Sequence, residues 1–214
     1  MVICIQAHKI AYMAVPKVAC SSIKAALCAI DANSDIPKAE IAASFDKLHI
    51  QYPTKRFRLH RWEMYKDCWR FAAVRDPLKR LLSVYTDRKE QKNDLFRSPR
   101  LRNSQLSKDP DPNYFFENLH EYSALSSVIK HHVLSTRIFL GPDLSRYNRI
   151  YRIEDLDQLA TDVSRRIDAP FTIPRMNKSQ HHLSANDLSK KARKVIHDHL
   201  AVDYQLLSDF YPKD

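Results

Sequence analysis

Two stretches of the chain place anion-binding side chains where a strand hands over to a helix. In Val15-Pro16-Lys17-Val18-Ala19-Cys20-Ser21-Ser22, a lysine follows a short apolar run and two hydroxyls open a segment of helix formers. In Val74-Arg75-Asp76-Pro77, an arginine stands at the corresponding point, and Ser83 follows on the next helix beside Lys79 and Arg80. An ammonium offers a point charge, a guanidinium binds two phosphate oxygens at once, and a hydroxyl donates one further hydrogen bond. The first turn of a helix adds unpaired amides that attract anions. Lys17 would supply a point charge, the amides of residues 18 to 22 an oxyanion nest, and the hydroxyls of Ser21 and Ser22 further donors. Taken alone, that loop reads equally as a surface lysine beside a serine N-cap. Arg75 with Ser83 supplies the second phosphate site that decides between the two readings.

The elements that must hold these residues alternate. Ile10 to Val15 reads as a strand and Ser21 to Ile30 as a helix. Arg70 to Val74 reads as a second strand. Asp76 and Pro77 then cap and start a helix whose apolar positions Leu78, Leu81, Leu82 and Tyr85 share one face. Asn148 to Ile153 is a third strand, followed by a helix with Leu156, Leu159, Ala160, Val163 and Ile167 on one side. Ser184 and Asp187 have capping-box spacing and are expected to open a helix carrying Leu188, Ala192, Val195 and Ile196. Strands alternating with helices imply an α/β protein with a parallel sheet flanked by helices, whose ligands bind at the carboxyl ends of the strands. Residues 92–113 are polar, proline-dotted and without periodicity, and are expected to form a mobile surface loop within one domain spanning 1–214.

Composition narrows the chemistry. The 214 residues contain a single glycine, Gly141, where about fifteen would be usual. Walker A and dinucleotide loops are thereby excluded, since both need glycines at fixed offsets. A loop that must take positive φ is not expected either. The net charge is +10, and residues 55–102 alone hold fifteen basic and six acidic side chains. An anionic ligand is therefore expected, with this segment involved. Cys4, Cys20, Cys28 and Cys68 show neither metal-ligand spacing nor a disulfide framework, and Cys20 reads as a small packing residue. No segment approaches the roughly 18 apolar residues of a membrane span and no secretory leader is evident, so a soluble, cytoplasmic protein is expected. The sequence carries no indication of oligomeric state.

These motifs resemble the sulfotransferases that use 3′-phosphoadenosine 5′-phosphosulfate (PAPS), particularly the carbohydrate sulfotransferases of the Golgi type and their bacterial relatives. Pro16-Lys17-Val18-Ala19-Cys20-Ser21-Ser22 is similar to that family's 5′-phosphosulfate loop. Phe71-Ala72-Ala73-Val74-Arg75-Asp76-Pro77-Leu78-Lys79-Arg80-Leu81-Leu82-Ser83-Val84-Tyr85 is similar to its 3′-phosphate motif. Arg152-Ile153-Glu154-Asp155-Leu156, Asn177-Lys178-Ser179 and a Tyr204-containing helix are weaker echoes. The likeness runs from Tyr12 to Phe210. It implies a P-loop-NTPase-like fold in which Lys17, the loop amides and Ser21 or Ser22 hold the 5′-phosphosulfate while Arg75 and Ser83 hold the 3′-phosphate. It implies PAPS as co-substrate, no obligatory metal, and a hydroxyl-bearing acceptor, chiefly a carbohydrate.

An acceptor hydroxyl needs a general base with a pKa near the working pH, which favours histidine. In several glycan-modifying relatives the base lies shortly before the strand leading to the 3′-phosphate motif, and His60 occupies that place, with Glu63 as its fallback. His132 is the rival, although Val133 to Arg137 depart from the pattern that follows the corresponding histidine in some carbohydrate sulfotransferases. Lys55, Arg56, Arg58, Arg97, Arg100 and Arg102 would suit an anionic acceptor. Two other readings compete. A basic nucleic-acid binder could stack bases on Trp62, Tyr65 and Trp69, but no nucleic-acid module signature appears. A nucleotide kinase-like P-loop enzyme is weakened by the missing glycines and the lack of a magnesium site.

Overall fold

The computed structural model of the chain describes residues 2–176 and 183–212. In order, the first half contains strands β1 (Ile3–Ile5) and β2 (Ile10–Met13), helices α1 (Cys20–Ile30), α2 (Phe45–Gln51) and α3 (Leu59–Glu63), and strand β3 (Trp69–Val74). Helices α4 (Pro77–Val84), α5 (Asp94–Arg97), α6 (Pro99–Arg102), α7 (Pro112–Glu117), α8 (Leu119–Leu125), α9 (Ser127–Val133) and α10 (Thr136–Leu140) follow. Strand β4 (Arg149–Arg152) and helices α11 (Leu156–Ile167) and α12 (Lys190–Leu206) complete the order. These elements fall into two compact units, Met1–Arg75 with Thr136–Lys178, and Asp76–Ser135 with Ser179–Asp214.

The first unit is a four-stranded sheet in the order β1-β2-β3-β4, flanked by helices, so the α/β expectation holds. β2, β3 and β4 are parallel, with Met13 opposite Ala72 and Ala72 opposite Ile150. β2 and the last four residues of β3 are wholly buried, which explains their unbroken apolar runs: a strand covered on both faces has no polar side to show. β4 lies at the sheet edge, burying Tyr151 and exposing Arg149 and Arg152, charges that discourage pairing with another strand. β1 has no counterpart among the strands expected from the sequence. It runs antiparallel to β2, Ile3 opposite Tyr12, after a reversal in which Lys9 takes φ 51°.

The second unit is helical. The expected stripe of α4 is buried at Leu81, Leu82 and Tyr85 and packs with Phe115, Phe116 and Ile196 in one core. Asp76 accepts a hydrogen bond from the Lys79 amide at 2.7 Å and Pro77 takes the first helical position, as its sequence dictates. Past Val84 the helix widens into a π-helical segment through Gln91. Two expectations need correction. Residues 92–113 contain α5 and α6, anchored by the fully buried Leu95 and Leu101; one apolar residue per turn is too little for a periodicity to show. The Ser184–Asp187 capping box closes only a 3₁₀ turn at Ala185–Asp187. Leu188 is extended and buried, and α12 starts afresh with Ser189 as its cap, accepting from the Ala192 amide at 3.0 Å.

Candidate active site

The loop after β2 carries the first candidate anion-binding stretch. Lys17 has φ 67° and Ala19 has φ 47°, while Val18 between them stays at negative φ. Alternation of this kind turns successive amides to one side and makes a nest for an anion. It also corrects the expectation drawn from glycine scarcity: the loop does adopt left-handed conformations, with a lysine and an alanine in place of glycines. Each is a conformation that costs an L-residue about 1 kcal/mol or more, so the surrounding structure has to hold it.

Part of that hold comes from the second stretch. The parallel register of β2 and β3 sets the two strand ends side by side, and Arg75 Nη1 donates a hydrogen bond to the carbonyl oxygen of Lys17 at 3.2 Å. Lys17 and Arg75 are therefore in direct contact.

Helix α1 opens from this loop without a cap. Its N-cap residue is Ala19, which has no side chain to accept a hydrogen bond, and the first turn contains no acidic residue. Among the described residues, the first amide of α1 to find an acceptor is that of Ile23, donating to the Ala19 carbonyl oxygen at 3.0 Å. The amides of Cys20, Ser21 and Ser22 thus present the positive end of an 11-residue helix. Ser22 is buried and its oxygen accepts from the Met176 amide at 3.1 Å, leaving its hydroxyl hydrogen for another acceptor. Cys20 is a half-buried free thiol at the first helical position.

Three residues absent from the sequence reading support this helix. Ser21 Oγ lies 2.9 Å from His49 Nε2 on α2. Lys24 Nζ lies 3.2 Å from His49 Nδ1 and donates to Thr54 Oγ1 at 2.8 Å. Lys24 is fully buried, and desolvation pulls its pKa below the usual lysine value. Positions 21 and 24 are one turn apart on α1, but no spacing rule links them to 49 or 54; tertiary packing of α2 on α1 brings His49 to them.

The remaining expected residues are carried by other elements. His60 and Glu63 are exposed on α3, which is fastened by Trp62: this ring is buried against Tyr147 at 4.4 Å between centroids, and Arg70 stacks on it. Glu63 is 3.7 Å from Arg146 Nη1. Ser83 and His132 belong to the second unit. Ser83 is buried and donates to the Arg80 carbonyl oxygen at 2.7 Å; a phosphate would have to win that hydrogen. His132 Nδ1 is 2.7 Å from the Val128 carbonyl oxygen, which leaves Nε2 as the ring's basic nitrogen. Asn177-Lys178-Ser179 lies outside the described residues. Among the described residues, no three His, Cys, Asp or Glu side chains form a metal-holding group, and no helix is long and apolar enough to cross a membrane.

Comparison with family models matches the sulfotransferase family over residues 2–214. The chain belongs to the sulfotransferase family. The match gives this sulfotransferase a general chemistry, sulfuryl transfer to a hydroxyl-bearing acceptor, and agrees with the parallel sheet and flanking helices described above. No curated protein and no solved structure matches the chain.

Proposed function

We propose that this sulfotransferase moves a sulfuryl group from PAPS to a hydroxyl of a carbohydrate acceptor. The observation that carries the reading is the uncapped first turn of α1, opening from a left-handed loop that Arg75 fastens to the end of β3. An amide nest beside a lysine fits a phosphosulfate. The acceptor oxygen attacks sulfur, the bond from sulfur to the 5′-phosphate oxygen breaks, and the electron pair stays on the departing phosphate. Lys17 and the amides of Val18 to Ser22 stabilise that growing charge, an interaction stronger in the transition state than before it. Arg75 takes the 3′-phosphate, with Ser83 assigned by its spacing from Arg75.

His60 removes the acceptor proton; Glu63 and His132 are its alternates. Exposure on α3 suits a base that meets a large acceptor from solvent, and the exposed Lys55, Arg56 and Arg58 just before it suit an acceptor that is itself anionic. Calorimetry against adenosine 3′,5′-bisphosphate, ATP and a short DNA duplex tests the reading. Tight binding of the bisphosphate alone is expected, with His60→Ala binding it normally while losing transfer. Salt-sensitive binding of DNA alone overturns the assignment.

A further inference from the structure

The Thr54–Lys24–His49–Ser21 chain is more than packing. An ammonium group has hydrogens and no lone pair, so toward His49 Nδ1, 3.2 Å away, Lys24 donates. Nδ1 is then the bare ring nitrogen and Nε2 carries the hydrogen. Nε2–H in turn donates to Ser21 Oγ at 2.9 Å. Ser21 Oγ thus accepts from the imidazole, and among the described residues its own hydroxyl hydrogen is left to be given away. The same tautomer rules out His49 as a base through Nε2. The Phe45 ring, 4.5 Å from the imidazole between centroids, restricts the tilt of His49.

We propose that His49 is a positioning residue for the sulfuryl donor: anchored by Lys24 and Thr54, it presets the Ser21 hydroxyl as a hydrogen-bond donor to the donor's 5′-phosphosulfate at the open end of α1. This rests on the PAPS reading and adds to it a residue that would not touch the ligand. It predicts a loss confined to the 5′ group. In calorimetry, His49→Ala weakens adenosine 3′,5′-bisphosphate binding about tenfold and leaves adenosine 3′-monophosphate unchanged. Ser21→Ala shows the same selective loss. The double variant is no worse than either single one, because both remove one interaction. His49→Gln, whose amide nitrogen donates in place of Nε2–H, recovers most of the affinity.

Equal losses for the two nucleotides in His49→Ala, or additive losses in the double variant, with the wild-type preference for the bisphosphate intact, overturn the proposal alone. A wild-type protein that binds both nucleotides equally overturns the PAPS reading and the proposal with it. Melting curves verify folding, and if His49→Ala does not fold, Ser21→Ala and His49→Gln complete the comparison: the loss in the first and its absence in the second are both required.

Discussion

Two adjacent parallel strands, β2 and β3, are each followed by a helix with a fully buried cation in its second turn, and the two cations are treated in opposite ways. Arg80 of α4 donates to Asp203 Oδ2 at 3.0 Å and to the carbonyl oxygens of Leu134 and His132. Asp203 is buried as well and also accepts from Ser135 at 2.5 Å. Asp76 caps the same helix. Lys24 of α1 has only neutral partners among the described residues, Thr54 and His49, and α1 has no side-chain cap. One strand–helix unit is electrostatically closed and the other is left positive. Burying a charge without a counterion costs stability, so the open unit is where a ligand's negative charge has most to gain. The closed unit acts as framework.

The largest effect should come from opening the closed unit. Asp203→Ala leaves Arg80 buried without a counterion and should cost about 3–5 kcal/mol in urea unfolding. Arg80→Met combined with Asp203→Leu should restore most of the loss, since an apolar pair of similar volume replaces the ions without stranding either. A loss below about 1 kcal/mol for Asp203→Ala would mean that the backbone carbonyls alone hold Arg80, and the contrast with Lys24 would collapse.

Removing the cation from the open unit should behave differently. Lys24→Met strands no carboxylate, and Thr54 and His49 are half-exposed and can turn to water. Stability should stay within about 1 kcal/mol of wild type, while affinity for adenosine 3′,5′-bisphosphate falls about tenfold because a positive charge near the anion is gone. A stability loss comparable to that of Asp203→Ala, with binding unchanged, would make Lys24 a framework residue like Arg80.

How much of this contrast was legible in the sequence depends on the distance over which it is written. Strand ends, the Asp76–Pro77 start and the two candidate anion-binding stretches are local, set by apolar runs, breakers and residue types within a dozen positions. Helices α5 and α6 are local too, but Leu95 and Leu101 are single anchors that produce no period. What closes α4 is 123 residues away at Asp203, and what supports Ser21 is 28 residues away at His49. Neither partner has a spacing that marks it. The antiparallel β1 escaped for a related reason, since three apolar residues do not declare a direction.

The smallest expected effect concerns the conformation that gives α1 its open end. The chain's one glycine sits at the end of α10, where φ is 84° and an added Cβ would lie 3.0 Å from the Phe57 ring. The loop before α1, also left-handed, is built with Ala19. Ala19→Gly should raise stability by about 0.5–1 kcal/mol, because relief of the left-handed conformation outweighs the added freedom of the unfolded chain. Ala25→Gly, in the interior of α1, should lower stability by a similar amount. Bisphosphate affinity should not rise with the stability of Ala19→Gly and should fall slightly, since glycine frees the loop from the one arrangement that aims its amides. Destabilisation by both substitutions would show that Ala19 is not held in the left-handed region in solution, and the nest would lose its geometric basis.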